Sequence, residues 1–367
     1  MRAPRILSRY VAREVLCFTA LGLAALTPLL VSRHLIQLMD QLAGAELRLA
    51  DLLALGRCLA AMLSAYALPI AFLLGVVLAV GRLASDREVA ALCACGLGLR
   101  HLLAPVLALG LGVSALTAGL MLEVEHRAQR ELRERVRELA THGSMIETGA
   151  FRRLGDRALF VRERAPDGEL RGIFIADHSD PERPLQVAAE RGRVSLEGGR
   201  VRLELRDGDL LLEGLEASRV AFDRFDYSVE AEALLGVDLA RLRPREMPMA
   251  ELRRILERAR AGDPLLEYRK QNPAEYQLQI HRRIALPFAP ALFALVGVPL
   301  GLRARGGARS WGALACAALL AGYYALLMFG QFLALEGGLP AALAMWAPNG
   351  AVAAAGCGLL FAARRPG

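Results

Sequence analysis

Six stretches of the chain contain no Asp, Glu, Lys or Arg: 15–32, 58–81, 102–122, 284–302, 310–335 and 337–363. Each is 18 to 27 residues long. A helix needs roughly 20 apolar residues to cross the hydrocarbon core of a bilayer. No soluble domain leaves six such runs without surface charge, and a disordered chain is far less apolar. The sequence therefore predicts an α-helical membrane protein with six transmembrane helices, three on each side of a polar insert.

Charge separates the two parts. The whole chain carries 45 basic and 38 acidic residues, a net +7. The insert, 123–283, holds 30 basic and 31 acidic residues, so the positive surplus belongs to the membrane part. That removes the nucleic-acid-binding class which the total alone suggests. With the N-terminus inside, twelve arginines flank the spans on the inner side; only Arg33, Arg48 and Arg57 lie on the short outer loops. Positive charge marks the cytoplasmic face. Both termini are expected in the cytoplasm, with the insert outside, in the periplasm of a Gram-negative cell. The first run is long for a signal peptide and is read as a retained helix. The predicted domains are 1–122 with three spans, 123–283 as the external domain, and 284–367 with three more spans. The six cysteines lie in or beside the spans, so the external domain folds without disulfides.

The hydrophobic period changes along the insert. Val124, Ala128, Leu132, Val136 and Leu139 recur at helical spacing and predict an amphipathic stalk continuing the third span. The period then becomes two. Segments 158–164 and 170–176 flank Pro166-Asp167-Gly168, and alternating residues near Val194 and Val201 flank Gly198-Gly199, which predicts two hairpins. Further strands are expected at 185–190, 209–213 and 218–229. Short strands at this spacing predict a β-sandwich or β-jelly-roll domain. Residues 249–260 return to a helical pattern that Gly262 stops. A short surface helix is expected within 37–57.

The loop between the second and third spans predicts a cytoplasmic helix over 85–96. Ser85 and Glu88 have the spacing of a capping box, and Gly96 is a C-terminal stop. Such a helix can dock in a partner's groove, or its caps can simply keep the loop rigid. Arg33 and His34 follow the first span, and Arg282 and Arg283 precede the fourth. They could hold an anionic headgroup by bidentate contacts, or snorkel as interface anchors.

Chemistry for catalysis is missing from the pattern. Lys270 is the only lysine and is followed by Gln271, so no P-loop is present. There is no HExxH or CxxC motif, and no carboxylate lies in the charge-free runs, as proton-coupled carriers require. The expectation is a non-enzymatic subunit with no cofactor of its own. A membrane-anchored scaffold or mechanotransmission protein, regulating a periplasmic partner, is the alternative from a different class.

Three segments resemble the permease subunits of the lipopolysaccharide exporter, the LptF/LptG family. They are Arg9-Tyr10-Val11-Ala12-Arg13-Glu14, the stretch from Gly81 through Ser85-Asp86-Arg87-Glu88 to Cys95-Gly96-Leu97, and Arg283-Ile284-Ala285-Leu286-Pro287 through Val298-Pro299-Leu300. The second and third are more similar to the LptF member. The resemblance implies a second permease of the same type, a cytosolic LptB-like ATPase dimer that binds the ATP, and a single-span LptC-like jelly-roll protein. It implies lipopolysaccharide as substrate, taken from the inner membrane into the jelly-roll bridge. By position, Ser85, Asp86, Arg87 and Glu88 would couple to the ATPase, and Arg33, His34, Arg282 and Arg283 would lie near lipid phosphates. Gln37 stands where a second basic group is expected after the first span.

Overall fold

The computed structural model describes residues 3–41, 48–142, 149, 151–154, 157–165, 169–178, 184–197, 200–212, 218–230, 243–261, 272–303, 309–336 and 338–364. The helices are α1 (Ala3–Gln41), α2 (Leu49–Ser85), α3 (Glu88–Ala94), α4 (Arg100–Gly119), α5 (Glu125–His142), α6 (Met249–Arg260), α7 (Pro273–Ala285), α8 (Ala289–Arg303), α9 (Arg309–Glu336) and α10 (Ala341–Arg364). A π-helical turn, Leu120–Val124, joins α4 to α5, and a 3₁₀ turn, Leu286–Phe288, joins α7 to α8. Among the described residues six helical segments are long and apolar enough to cross a membrane: Arg5–Met39, Leu49–Ser85, Arg100–Val136, Pro273–Arg303, Leu314–Glu336 and Ala341–Ala362. These are the six expected spans. The separate surface helix expected within 37–57 is absent from the described residues: α1 runs to Gln41 and α2 begins at Leu49.

Two compact units divide the chain. One gathers Met1–Ser32, Arg57–Arg130 and Arg243–Gly367; the other gathers Arg33–Gly56 and Glu131–Leu242. Two of the boundaries, after Arg130 and after Leu242, fall inside the 123–283 segment that the sequence assigns to the external domain. The cause is a set of side-chain clamps. Arg283 donates to Met247 O and Arg245 O, both at 2.7 Å, and Arg130 Nε donates to Glu246 O at 2.7 Å. These bonds hold the segment after residue 242 on the helices of the first unit.

In the first unit the second and fourth spans form the centre. Their most apolar windows are 72% and 67% buried, against 11% for the first span. Small residues let the backbones approach, as in membrane helix packing generally. A Cβ on Gly297 would lie 2.8 Å from Val76 Cγ1, and one on Gly301 would lie 2.8 Å from Val80 Cβ. Prolines break the fourth span at Leu286–Phe288, and a bilayer cannot solvate the backbone groups this disturbs. Neighbouring spans supply the partners. Asn349 Nδ2 donates to Ala285 O at 2.7 Å, Tyr323 OH donates to Asn349 Oδ1 at 3.0 Å, and Ala291 N donates to Ser114 Oγ at 3.2 Å.

Among the described residues the second unit contains six strands: β1 (Phe151–Leu154), β2 (Arg157–Arg164), β3 (Leu170–Asp177), β4 (Leu185–Glu197), β5 (Arg200–Leu212) and β6 (Ser218–Glu230). They form one antiparallel sheet in sequence order. The inserted β domain is thus present, as a meander rather than two sheets joined by Greek-key crossovers. The pieces expected at 185–190 and 194–196 are one 13-residue strand, and so are those at 201–205 and 209–213. The turns at 166–168 and 198–199, and Gly262, lie outside the described residues.

A crease gives this meander an interior. Among the described residues the ladder lapses along one row, Arg162–Gly172–Glu190–Asp207–Asp223. Gly172 (φ 64°) and Asp207 (φ 54°) take left-handed backbone there. Strand side chains alternate faces, so an irregularity in the row can reverse which parity points inward. On one side Leu159, Val161, Ile173, Ile175, Val187 and Ala189 are buried; on the other Leu170, Leu203, Leu205 and Tyr227 are, and all belong to one core. Tyr227 OH donates to Asp177 Oδ2 at 2.6 Å although two strands separate β6 from β3 in the sheet. The sheet therefore curls until its two halves meet. Within the same unit Leu35 and Leu38 of α1, Leu55 of α2, and Leu132, Val136 and Leu139 of α5 form a smaller core. The stalk pattern read from the sequence supplies its α5 side.

Candidate functional site

The helix expected over 85–96 is α3, seven residues from Glu88 to Ala94. It does not start with the predicted capping box. Ser85 is the last residue of α2, and its Oγ donates to Arg82 O at 2.9 Å. The N-cap is Arg87, in left-handed backbone (φ 58°), with no side-chain cap. Glu88 instead accepts a hydrogen bond from Tyr10 OH of α1 at 3.1 Å. Arg82 pairs with Glu14 of α1 and, at 3.6 Å, with Asp86. The C-terminal stop is as expected. Gly96 has φ 79°, its N–H donates to Cys93 O, and Leu97 N donates to Leu92 O, both at 3.0 Å. That is the Schellman arrangement, which requires a left-handed residue and so favours glycine. Val89 is the buried residue of α3 and packs in a core with Val11, Val15, Leu83 and Leu102. Asp86, Arg87, Ala90, Ala91 and Ala94 are exposed, leaving a small-residue face and two charges open. A cavity of about 170 Å³ lies beside it, lined by Leu7, Val89, Leu92, Leu97, Leu102 and Leu302 among others.

The second candidate centres on the arginines at the end of α7. Arg282 stacks over Tyr66, its guanidinium carbon 5.1 Å from the ring centroid, and Nη2 donates to Tyr66 OH at 2.6 Å. Tyr66 OH in turn donates to Glu125 Oε1. Arg245 is close enough that the Arg282 charge holds its guanidinium below the ordinary arginine range. Among the described residues Arg282 Nε and Glu125 Oε2 are buried without a hydrogen-bond partner. With Arg283 also near Glu125, the cluster sets three guanidiniums against one carboxylate, with donor capacity unspent. Charge-assisted donors of this kind suit phosphate or carboxylate.

Arg283 departs from its expected role. It is 1% exposed, and both Nη atoms are taken by backbone carbonyls. It holds the polypeptide rather than reaching for a headgroup, because residues 243–247 fold over it. Arg33 is exposed and His34 half-buried, and both belong to the other compact unit. Of the predicted residues, the structure joins Asp86 and Glu88 to α1 through Arg82, Glu14 and Tyr10. It joins Arg282 to Tyr66 and Glu125. Tyr10, Glu14, Tyr66, Glu125 and Arg245 had not been singled out as site residues. The available signals were Tyr66, the one tyrosine inside its charge-free run, and Glu125 just beyond another.

No curated protein matches the chain. The family model described as lipopolysaccharide export system permease LptF/LptG matches residues 9–362, which takes in all but the start of the first helical segment, the other five, and the β domain between them. It does not separate the two members of the family. The chain belongs to the lipopolysaccharide export permease family LptF/LptG.

Proposed function

We propose that this permease extracts lipopolysaccharide from the inner membrane as one half of an ABC transporter and passes it into a periplasmic β bridge. The observation that carries the proposal is the family match across residues 9–362, because it includes both sets of spans and the insert together. The termini and α3 lie in the cytoplasm, by the arginine bias, and the β domain in the periplasm. A second permease of the same type completes the membrane cavity. An LptB-like ATPase dimer supplies the energy by engaging α3 through Asp86, Arg87 and Glu88, with Ser85 closing the helix before it. A single-span LptC-like protein continues the curled β sheet.

Lipopolysaccharide carries several acyl chains and phosphates, so its route needs apolar walls and a few cations. Exposed apolar side chains on α1, α4, α9 and α10, such as Leu29, Leu116, Phe329 and Leu343, supply apolar surface for lipid or for the second permease. Arg282 with Arg245 supplies a cationic site for phosphate, and Arg33 with His34 a second. The creased sheet encloses Leu159, Ile175, Leu203 and Leu205, an apolar interior suited to acyl chains.

Affinity purification of a tagged chain from its native membrane tests the assignment. The expected result is recovery of a second six-span permease, an ATPase and bound lipopolysaccharide. Recovery of the chain with neither an ATPase nor lipopolysaccharide overturns it.

A further inference from the structure

We infer that α1 is the element that carries displacement of α3 into the rest of the subunit, with Tyr10, Glu14 and Arg82 as positioning residues for export. The inference rests on α3 being the ATPase-coupling helix, as proposed above.

Two polar ties join α1 to the corner between α2 and α3, one on each side of it. Glu14 pairs with Arg82, which belongs to α2 and also reaches Asp86. Tyr10 donates to Glu88, which belongs to α3. Apolar packing reinforces them over the same turns. Val11 and Val15 are fully buried in a core shared with Leu83, Ala84 and Val89. One step further Thr19 meets Gly75, where an added Cβ would lie 2.7 Å from Thr19 N. One turn on, Leu23 still packs on that core, and a Cβ on Gly22 would lie 3.6 Å from Ala71 Cβ. Leu21 and Leu29 are each 65% exposed. The same helix then carries Leu35 and Leu38, which pack with Leu55 of α2 and with Leu132, Val136 and Leu139 of α5, the stalk that leads to the strands.

So α1 is gripped near α3, open along one face through its middle, and gripped again beside the stalk. A helix is stiff because each turn is hydrogen-bonded to the next. If α3 moves relative to α2, the Tyr10–Glu88 tie either breaks or draws α1 with it. The buried Val11–Val15 contact favours the second course, since those side chains cannot leave Val89 without opening the core. A contact that merely braced the loop would need no continuation into a second packed end. Small displacements pass between packed elements because interfaces are held in discrete arrangements.

The test uses the intact transporter, purified with its partner ATPase and reconstituted in proteoliposomes with labelled lipopolysaccharide. ATP hydrolysis and lipopolysaccharide released to an acceptor β protein are measured together. Tyr10→Phe and Glu14→Arg are expected to keep ATP hydrolysis within about twofold while lowering lipopolysaccharide moved per ATP by threefold or more. The exchange Glu14→Arg with Arg82→Glu restores the pair in reverse and is expected to recover most of the loss. Unchanged transfer per ATP in both single variants, or no recovery in an assembled exchange variant, overturns the inference. Glu88→Ala separates this from the underlying assignment. Normal ATPase recovery and normal transfer in Glu88→Ala refute α3 as the coupling helix, whereas lost ATPase recovery with intact transfer per ATP in Tyr10→Phe and Glu14→Arg refutes only the role of α1.

Discussion

Replacing Arg283 with methionine tests how much of the hold on the segment after residue 242 comes from that side chain. Arg283 is 1% exposed and donates to Met247 O and Arg245 O at 2.7 Å each. A hydrogen bond from a charged donor is worth about 1.5–3 kcal/mol net, so the two together are worth about 3–6 kcal/mol. Methionine fills a similar volume and removes the cost of burying a guanidinium, which returns part of that sum. The expected net loss is about 2–4 kcal/mol. At about 2 °C per kcal/mol for a large domain, the unfolding midpoint in detergent falls by about 4–8 °C. Arg283→Lys keeps the charge but cannot fork to two carbonyls, so its loss is expected to be about half as large. Limited proteolysis gives a second readout, with cleavage after residue 242 rising in the methionine variant. A methionine variant whose midpoint stays within about 1 °C of the parent, with no added cleavage, refutes the clamp.

Three further changes probe other parts of the fold. Tyr227→Phe removes the hydroxyl that meets Asp177 across the curled sheet, and about 1 kcal/mol of β-domain stability should go with it; an unshifted thermal midpoint would mean that this contact does not close the curl. Asn349→Leu deprives Ala285 O and Tyr323 of their partner at the broken fourth span, and a loss of about 1–3 kcal/mol is expected in detergent unfolding. Gly75→Ala puts a methyl group 2.7 Å from Thr19 N, so α1 must shift, at a cost of about 1–3 kcal/mol. Cysteine crosslinking between positions 22 and 71, where a Cβ added at Gly22 would lie 3.6 Å from Ala71 Cβ, would report that shift, and equal yield with and without the alanine would exclude it.

What the sequence made legible follows from how strongly each feature is dictated locally. The six spans were legible because hydrocarbon excludes charge over some twenty residues, whatever the neighbours are. The stalk and Gly96 were legible for similar reasons, one from its period and the other from the left-handed backbone that a Schellman stop requires. Ser85 was misread because its spacing to Glu88 is that of a capping box, while nothing local reveals that α2 continues through Ser85 itself. Its hydroxyl is then spent on Arg82 O, inside the preceding helix. Glu88 finds its partner 78 residues away in Tyr10, a distance no pattern covers. Arg283 looked like an interface anchor because its burial depends on residues 243–247 returning from the insert. The strands at 185–190 and 194–196 looked separate because inward parity reverses at the crease, so a continuous strand shows a broken alternation. Gly172 carried a trace of that crease in the sequence, but Asp207 did not.

The central claim is that lipopolysaccharide leaves the membrane through this permease and enters its curled β sheet under ATP. A photocrosslinking amino acid at Leu203, 1% exposed in the β interior, tests it directly in the reconstituted complex. The account predicts a crosslink to lipopolysaccharide that is weak without nucleotide and grows on adding ATP. A permease that hydrolyses ATP with its partner but never crosslinks to lipopolysaccharide at Leu203 would contradict it.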